Sequence, residues 1–200
     1  RNFNKDLDYK RTFKPNNKKA YQIKGTRNQE NRMRLIEGTL SVKAILELTH
    51  KYDTTLTIFL TSLFLYSIYK DMPSNKANQP IVLSVPINLR QYYDSYTSRN
   101  FFSTMDVPYT FGKNSNELED VIESVKETFQ KELTKENLDL HLYRFMSLEK
   151  NPIARVIPLP LKDIALKIAD YFNDRRITTS ISTIGQIKMP PEFSDYMNKF

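Results

Sequence analysis

Two hundred residues, 40% of them hydrophobic and 12% aromatic, suffice for one domain that buries roughly 70% of its unfolded surface and exclude a disordered chain. The absence of cysteine excludes disulfides, thiolate zinc sites and a cysteine nucleophile, and it points to a reducing, cytoplasmic setting. A net charge of +7 suits an anionic partner, but much of the excess sits in KRTFKPNNKKAYQIK at 10–24, which lacks the spacing of any nucleic-acid-reading motif and reads as a solvated connector.

No charged-then-apolar signal segment opens the chain, and Arg1 in place of an initiator methionine leads us to expect further sequence upstream. Residues 1–30 read as an extended basic lead-in anchored by Phe13, Tyr21 and Ile23, and residues 31–200 as the folded lobe. Within the lobe Asn31–Leu40 is a strand candidate. Ser41 follows as the N-cap of a helix whose positions Val42, Ile45, Leu46 and Thr49 keep a 3.6 period, ended by His50. Asp53, Thr54 and Thr55 offer a second cap. The helix after it, Leu56–Tyr69, is apolar almost all round, as expected of a helix buried at the centre of a lobe. It is too short and too rich in Thr and Ser to span a bilayer, which takes about 20 apolar residues.

The stretch Pro80–Phe111 carries the most information. It reads as two strands joined by a polar turn. In the first, Ile81, Leu83, Val85, Ile87 and Leu89 point one way, while Ser84, Asn88 and Arg90 point the other. Pro86 removes a ladder donor in mid-strand, which predicts an edge strand or a bulge. In the second strand Phe101, Ser103, Met105, Val107, Tyr109 and Phe111 share a face, and Phe102, Thr104 and Asp106 lie opposite.

Ser115 is placed to cap an amphipathic helix with the stripe Leu118, Val121, Ile122, Val125 and Phe129. Thr134 starts another, bearing Leu138, His141, Leu142 and Phe145. Pro158 and Pro160 separate it from a third, with Leu161, Ile164, Ala165, Ile168 and Phe172. Ile177–Ile184 is a β-branched strand ending at Gly185, and Pro190 and Pro191 close it. Strands and helices mix without repeats or a βαβ rhythm, so the expected class is an α/β (α+β) sandwich, a mixed sheet packed with helices.

The four glycines, at 25, 38, 112 and 185, form no phosphate-cradling loop. There is no GxSxG elbow, no HExxH and no Cys/His cluster, so neither a serine nucleophile at an elbow nor a catalytic metal is expected. His50 sits at a helix end beside Lys51 and reads as structural. His141 faces an apolar stripe and reads as a hydrogen-bonded core histidine. No catalytic residue is assigned to the chain.

The order of several short motifs resembles the C-terminal lobe of the chloramphenicol acetyltransferase-like superfamily, which includes condensation domains and alcohol acetyltransferases. The look is nearest to the bacterial alcohol acetyltransferase-like branch. The motifs are AYQIKG at 20–25, KYDTTLTIFLTSLF at 51–64, VPINLR at 85–90, RNFF at 99–102, ARVIPLPLK at 154–162 and STIGQIKMP at 182–190. In order they cover most of the chain. The resemblance implies a two-lobe enzyme in which an acyl thioester and a nucleophile meet in a channel between the lobes. Its catalytic HHxxxDG motif belongs to the N-terminal lobe, and no match to it exists here.

The resemblance further implies that Asn88 and Arg90 line the substrate channel or lobe interface, with Arg90 organising neighbouring segments through its guanidinium fork. Asn100 matches the Asn opening the next strand. Ser182 and Gly185 match the ends of a Ser-Asn-x-Gly segment in which Thr183 replaces the Asn. The implied function is the half of an acyltransferase that lacks the catalytic histidine, acting with acyl-CoA or a carrier-protein thioester as donor and an alcohol or amine as acceptor. No bound cofactor is expected, with acyl-CoA entering as co-substrate. The expected partners are the N-terminal lobe of the same polypeptide and a second copy docked through the exposed lobe face; nucleic acid and a membrane span are not expected. Two alternatives stay open, a basic module binding nucleic acid or an anionic partner, and a degenerate scaffold that keeps the architecture alone.

Overall fold

The computed structural model describes residues 19–25, 34–94, 96, 100–150 and 158–183. Phe13, Gly185, Pro190, Pro191 and residues 10–18 of the basic run lie outside them. The elements in chain order are α1 (Val42–Lys51), α2 (Leu56–Asp71), β1 (Ile81–Asn88), β2 (Phe102–Tyr109), α3 (Leu118–Glu132), α4 (Lys135–Lys150), α5 (Leu159–Asp174) and β3 (Thr179–Ser180). Single 3-10 turns occupy Ser74–Lys76 and Leu89–Gln91. The architecture is mixed α/β: a three-stranded sheet in the order β2-β1-β3, with β1 antiparallel to β2 and parallel to β3, packed with helices.

The caps explain where the first helices start and stop. The Ser41 hydroxyl accepts from the Ala44 N–H at 3.4 Å, the cap its sequence position predicts. At the other end the Thr54 N–H reaches the Thr49 carbonyl and the Asp53 N–H reaches that of His50. These two bonds define a Schellman end, and Asp53 takes the left-handed conformation it needs, with φ 44°. Asp53 therefore closes α1, and Thr55 caps α2, its hydroxyl accepting from the Ile58 N–H. The strand expected over Asn31–Leu40 is absent from its described part, 34–40, which is irregular. An apolar run makes a strand only where a neighbouring edge offers its backbone groups.

The core is built on one face of the sheet. Registry pairs Ile81 with Tyr109, Leu83 with Val107 and Val85 with Met105, and all six side chains are buried. Helix α2 contributes Ile58, Phe59, Leu65 and Ile68, and α3 contributes the stripe Val121, Ile122, Val125 and Phe129. Buried Thr61 and Ser62 return their hydroxyls to the carbonyls of Thr57 and Ile58 at 2.7 and 2.9 Å, which lets two polar residues sit inside a helix surrounded by core. The start of α3 departs from expectation. Its N-cap is Glu117, and the Ser115 hydroxyl, two residues earlier, accepts from the Glu117 N–H at 3.1 Å.

Pro86 is accommodated without a bulge and without an edge strand, because β1 is central and its register with β2 is continuous. The Leu89 N–H bonds to Phe101, and the carbonyls of Val82 and Ser84 accept from Thr178 and Ile181. Odd residues of β1 thus bond to β2, and even ones face β3. β3 is much shorter than the span Ile177–Ile184 and pairs only with Leu83 and Ser84, so Pro86 lacks its N–H where no ladder runs among the described residues.

Residues 19–25 are stitched to the same body. The Ala20 N–H donates to Arg175, the Tyr21 N–H to Pro80, and the Gln22 side-chain amide to Ile177 at 3.0 Å.

A candidate site at one end of the sheet

Parallel pairing of β3 with β1, and antiparallel pairing of β2, bring the end of β1, the start of β2 and the exit of β3 to one end of the sheet. Five of the six residues singled out from the sequence lie at this end. Asn88 closes β1 and is exposed; its side-chain oxygen accepts from the Arg90 N–H at 3.1 Å and so caps the turn Leu89–Gln91. Arg90 is exposed within that turn rather than on the strand, a correction to the alternation that carried the strand through to residue 90. The Asn88 cap makes the difference, since an Asn side chain competes with ladder bonds for nearby backbone N–H groups.

Asn100, exposed, lies one step beyond the Leu89–Phe101 backbone bond and therefore opposite Arg90 in the hairpin. Ser182 and Thr183 are exposed just past β3, and the Thr183 hydroxyl lies 3.3 Å from that of Thr57 in the first turn of α2. Gly185 lies outside the described residues. Ser84, expected on the same face as Asn88, is buried beside β3 and does not reach the site.

Beyond the turn, one strip of the sheet is open. Phe102, Thr104, Asp106 and Pro108 alternate with the core residues of β2 and are exposed, Phe102 to 58%. The Asp106 carboxyl nevertheless sits above its usual range because it is partly desolvated, an effect that His141 and then Arg176 oppose. His141 is not the core histidine its neighbours suggested. Its side chain is 26% exposed on α4, and Nε2 stands 3.8 Å from Glu132 Oε2 on α3.

Two residues that sequence reasoning missed brace the turn. The Tyr93 hydroxyl donates to Asp139 Oδ1 of α4 at 2.5 Å, and its ring meets Phe101 edge-on at 6.3 Å between centroids. Burial first, then the Asp139 carboxylate, pushes the Tyr93 hydroxyl well above the ordinary 10.0, so it stays a neutral donor at physiological pH. No spacing signal links residues 46 apart.

Chemically, the described residues of the site end offer amides, hydroxyls and the Arg90 guanidinium. These hold and orient polar or anionic groups. Among the described residues no three His, Asp or Glu are grouped to hold a metal ion, and no helix is long and apolar enough to cross a membrane. Compared with protein-family models, with curated proteins and with solved structures, the chain matches none of them.

Proposed function

We propose that the chain is the C-terminal lobe of a two-lobe, chloramphenicol acetyltransferase-like acyltransferase that moves an acyl group from acyl-CoA or a carrier-protein thioester to an alcohol or amine. The observation that supports it best is the gathering of Asn88, Arg90, Asn100, Ser182 and Thr183 at one end of a sheet whose β2 strip is open beside them. Residues brought to mind by motif order alone thus share one end of the fold.

In this reading the lobe supplies a channel wall. Arg90 and the amides fix the donor or the acceptor, and Ser182 or Thr183 donates a hydrogen bond to the reacting carbonyl. The proton is taken from the acceptor by a histidine of the companion lobe, a contribution typically worth about 10²–10⁴ in rate.

The test uses the polypeptide including its upstream sequence, with thiol release from acetyl-CoA in the presence of an alcohol or amine acceptor as the readout. Arg90→Ala should lower kcat/KM by about 10²-fold, the scale of a lost positioning contact, with the melting temperature almost unchanged because Arg90 is exposed. Transfer that proceeds equally well without Arg90 removes it from the channel.

A further inference from the structure

The turn that carries Arg90 is seated on the core by Leu89, with Tyr92 and Tyr93 half-buried against it. Leu89 is the buried residue of the turn, and its carbonyl accepts from both the Tyr92 and the Tyr93 N–H at 3.0 Å. On one side the turn is held by the Leu89 N–H to the Phe101 carbonyl, at 3.2 Å. On the other it is held through Tyr93, whose hydroxyl reaches across 46 residues of sequence to Asp139. Asp139 lies one residue past Leu138, the side chain by which α4 enters the core. A short bond between a part-buried phenol and a carboxylate is strong, because the acceptor is charged and water competes poorly.

We propose that the Tyr93–Asp139 hydrogen bond is a latch that fixes the Asn88–Arg90 turn against α4, making Tyr93 and Asp139 positioning residues for Arg90. Regulation of the site follows from the placement. Anything that displaces α4 releases this tether of the turn, while the β1–β2 ladder keeps its own backbone register through residues 81–88 and 102–109. The proposal gives the site of the preceding subsection a regulatory element, and its biological meaning rests on that reading; the latch itself is measurable without any acyl transfer.

The experiment is amide hydrogen exchange by NMR on the whole 200-residue chain, combined with the side-chain Nε–H resonance of Arg90. Tyr93→Phe keeps the ring against Phe101 and deletes only the hydroxyl. It should speed exchange of the Tyr92 and Tyr93 amides by about 10-fold or more, shift the Arg90 Nε–H signal, and leave the Leu83 and Val85 amides unchanged. Asp139→Ala, which removes the acceptor, should reproduce the effect, and the double variant Tyr93→Phe with Asp139→Ala should go no further than either single one, as expected of two residues acting through one bond.

Val125→Ala, buried on α3, is the control for general loosening, and it should lower the melting temperature without selective exchange in the turn. Turn amides that exchange in Tyr93→Phe no faster than the ladder amides, or effects of the two single variants that simply add, would overturn the latch. Absence of acyl transfer in the longer polypeptide would instead count against the proposed function and leave these exchange results standing.

Discussion

At the scale of single residues, Gly112 is set by a close approach that leaves no room for a side chain. Gly112 donates its N–H to the Ala77 carbonyl at 2.8 Å, and a Cβ built there would lie 2.9 Å from the backbone carbon and oxygen of Ala77. The backbone of residue 77 cannot swing aside, so Gly112→Ala should cost about 1–3 kcal/mol, the usual range for overpacking; thermal unfolding that matches the native chain would show that the turn relaxes freely. Asp53 illustrates the opposite case. It holds a left-handed conformation that glycine adopts without penalty, and its ion pair to Lys126 engages a carboxylate that is 98% exposed, where such pairs are worth little. Asp53→Gly should therefore stabilise the chain by about 0.5–1 kcal/mol, read as a higher denaturation midpoint, and a lower midpoint would mean that the ion pair outweighs the strain.

Asp106 gives a pH dependence with a definite sign. Its carboxyl is raised in the folded state, so the fold binds this proton more tightly than the unfolded chain does. The resulting penalty is absent below the ordinary aspartate value of 3.8, grows as pH rises through the folded value, and persists at neutral pH. Asp106→Asn should accordingly melt higher than the native chain at pH 7, with the gap closing as pH falls toward 3.8. A gap that widens on acidification would contradict this assignment. None of this was legible beforehand, because Asp106 reads from the sequence as one polar residue on an alternating strand and its neighbours His141 and Arg176 arrive from distant segments.

At the scale of elements, local chemistry was readable where it acts over a few residues. The Ser41 cap, the all-round apolar α2, the two-faced β2 and the stripe of α3 follow from spacing alone, since each pattern reports directly on burial. What failed was whatever depends on a partner. The expected strand over 31–40 and the long β3 both need a neighbouring edge, and among the described residues of those spans 179–180 alone pair as a strand. Pro86 was read as an edge signal when the opening is local, one half of a central strand left without a neighbour among the described residues. The site was half legible. Asn88, Arg90 and Asn100 fall together because a hairpin joins them, whereas Tyr93, Asp139 and Thr57 enter through contacts with no sequence periodicity. Leu83→Ala, on the buried face, should cost about 2–5 kcal/mol. Thr104→Ala, on the open strip of β2, should cost under about 0.5 kcal/mol, and similar losses at both positions would mean that something covers the open strip.

At the scale of the whole molecule, the distribution of apolar surface matters most. Phe102 and Tyr96 are exposed in the hairpin that carries the Arg90 turn, but larger groups lie elsewhere: Leu35, Ile36, Leu40 and Val42 before and at the start of α1, and Leu159, Leu161, Ile164, Leu166 and Ile168 along α5. A surface of this kind is costly to leave in water, which fits a body that expects company. The most direct test compares acyl transfer by these 200 residues alone with transfer by the same residues joined to their upstream polypeptide, using acetyl-CoA and an alcohol or amine acceptor. The prediction is no turnover above background for the isolated chain and measurable turnover for the joined one. Full turnover by the isolated chain would contradict the division of labour proposed for it.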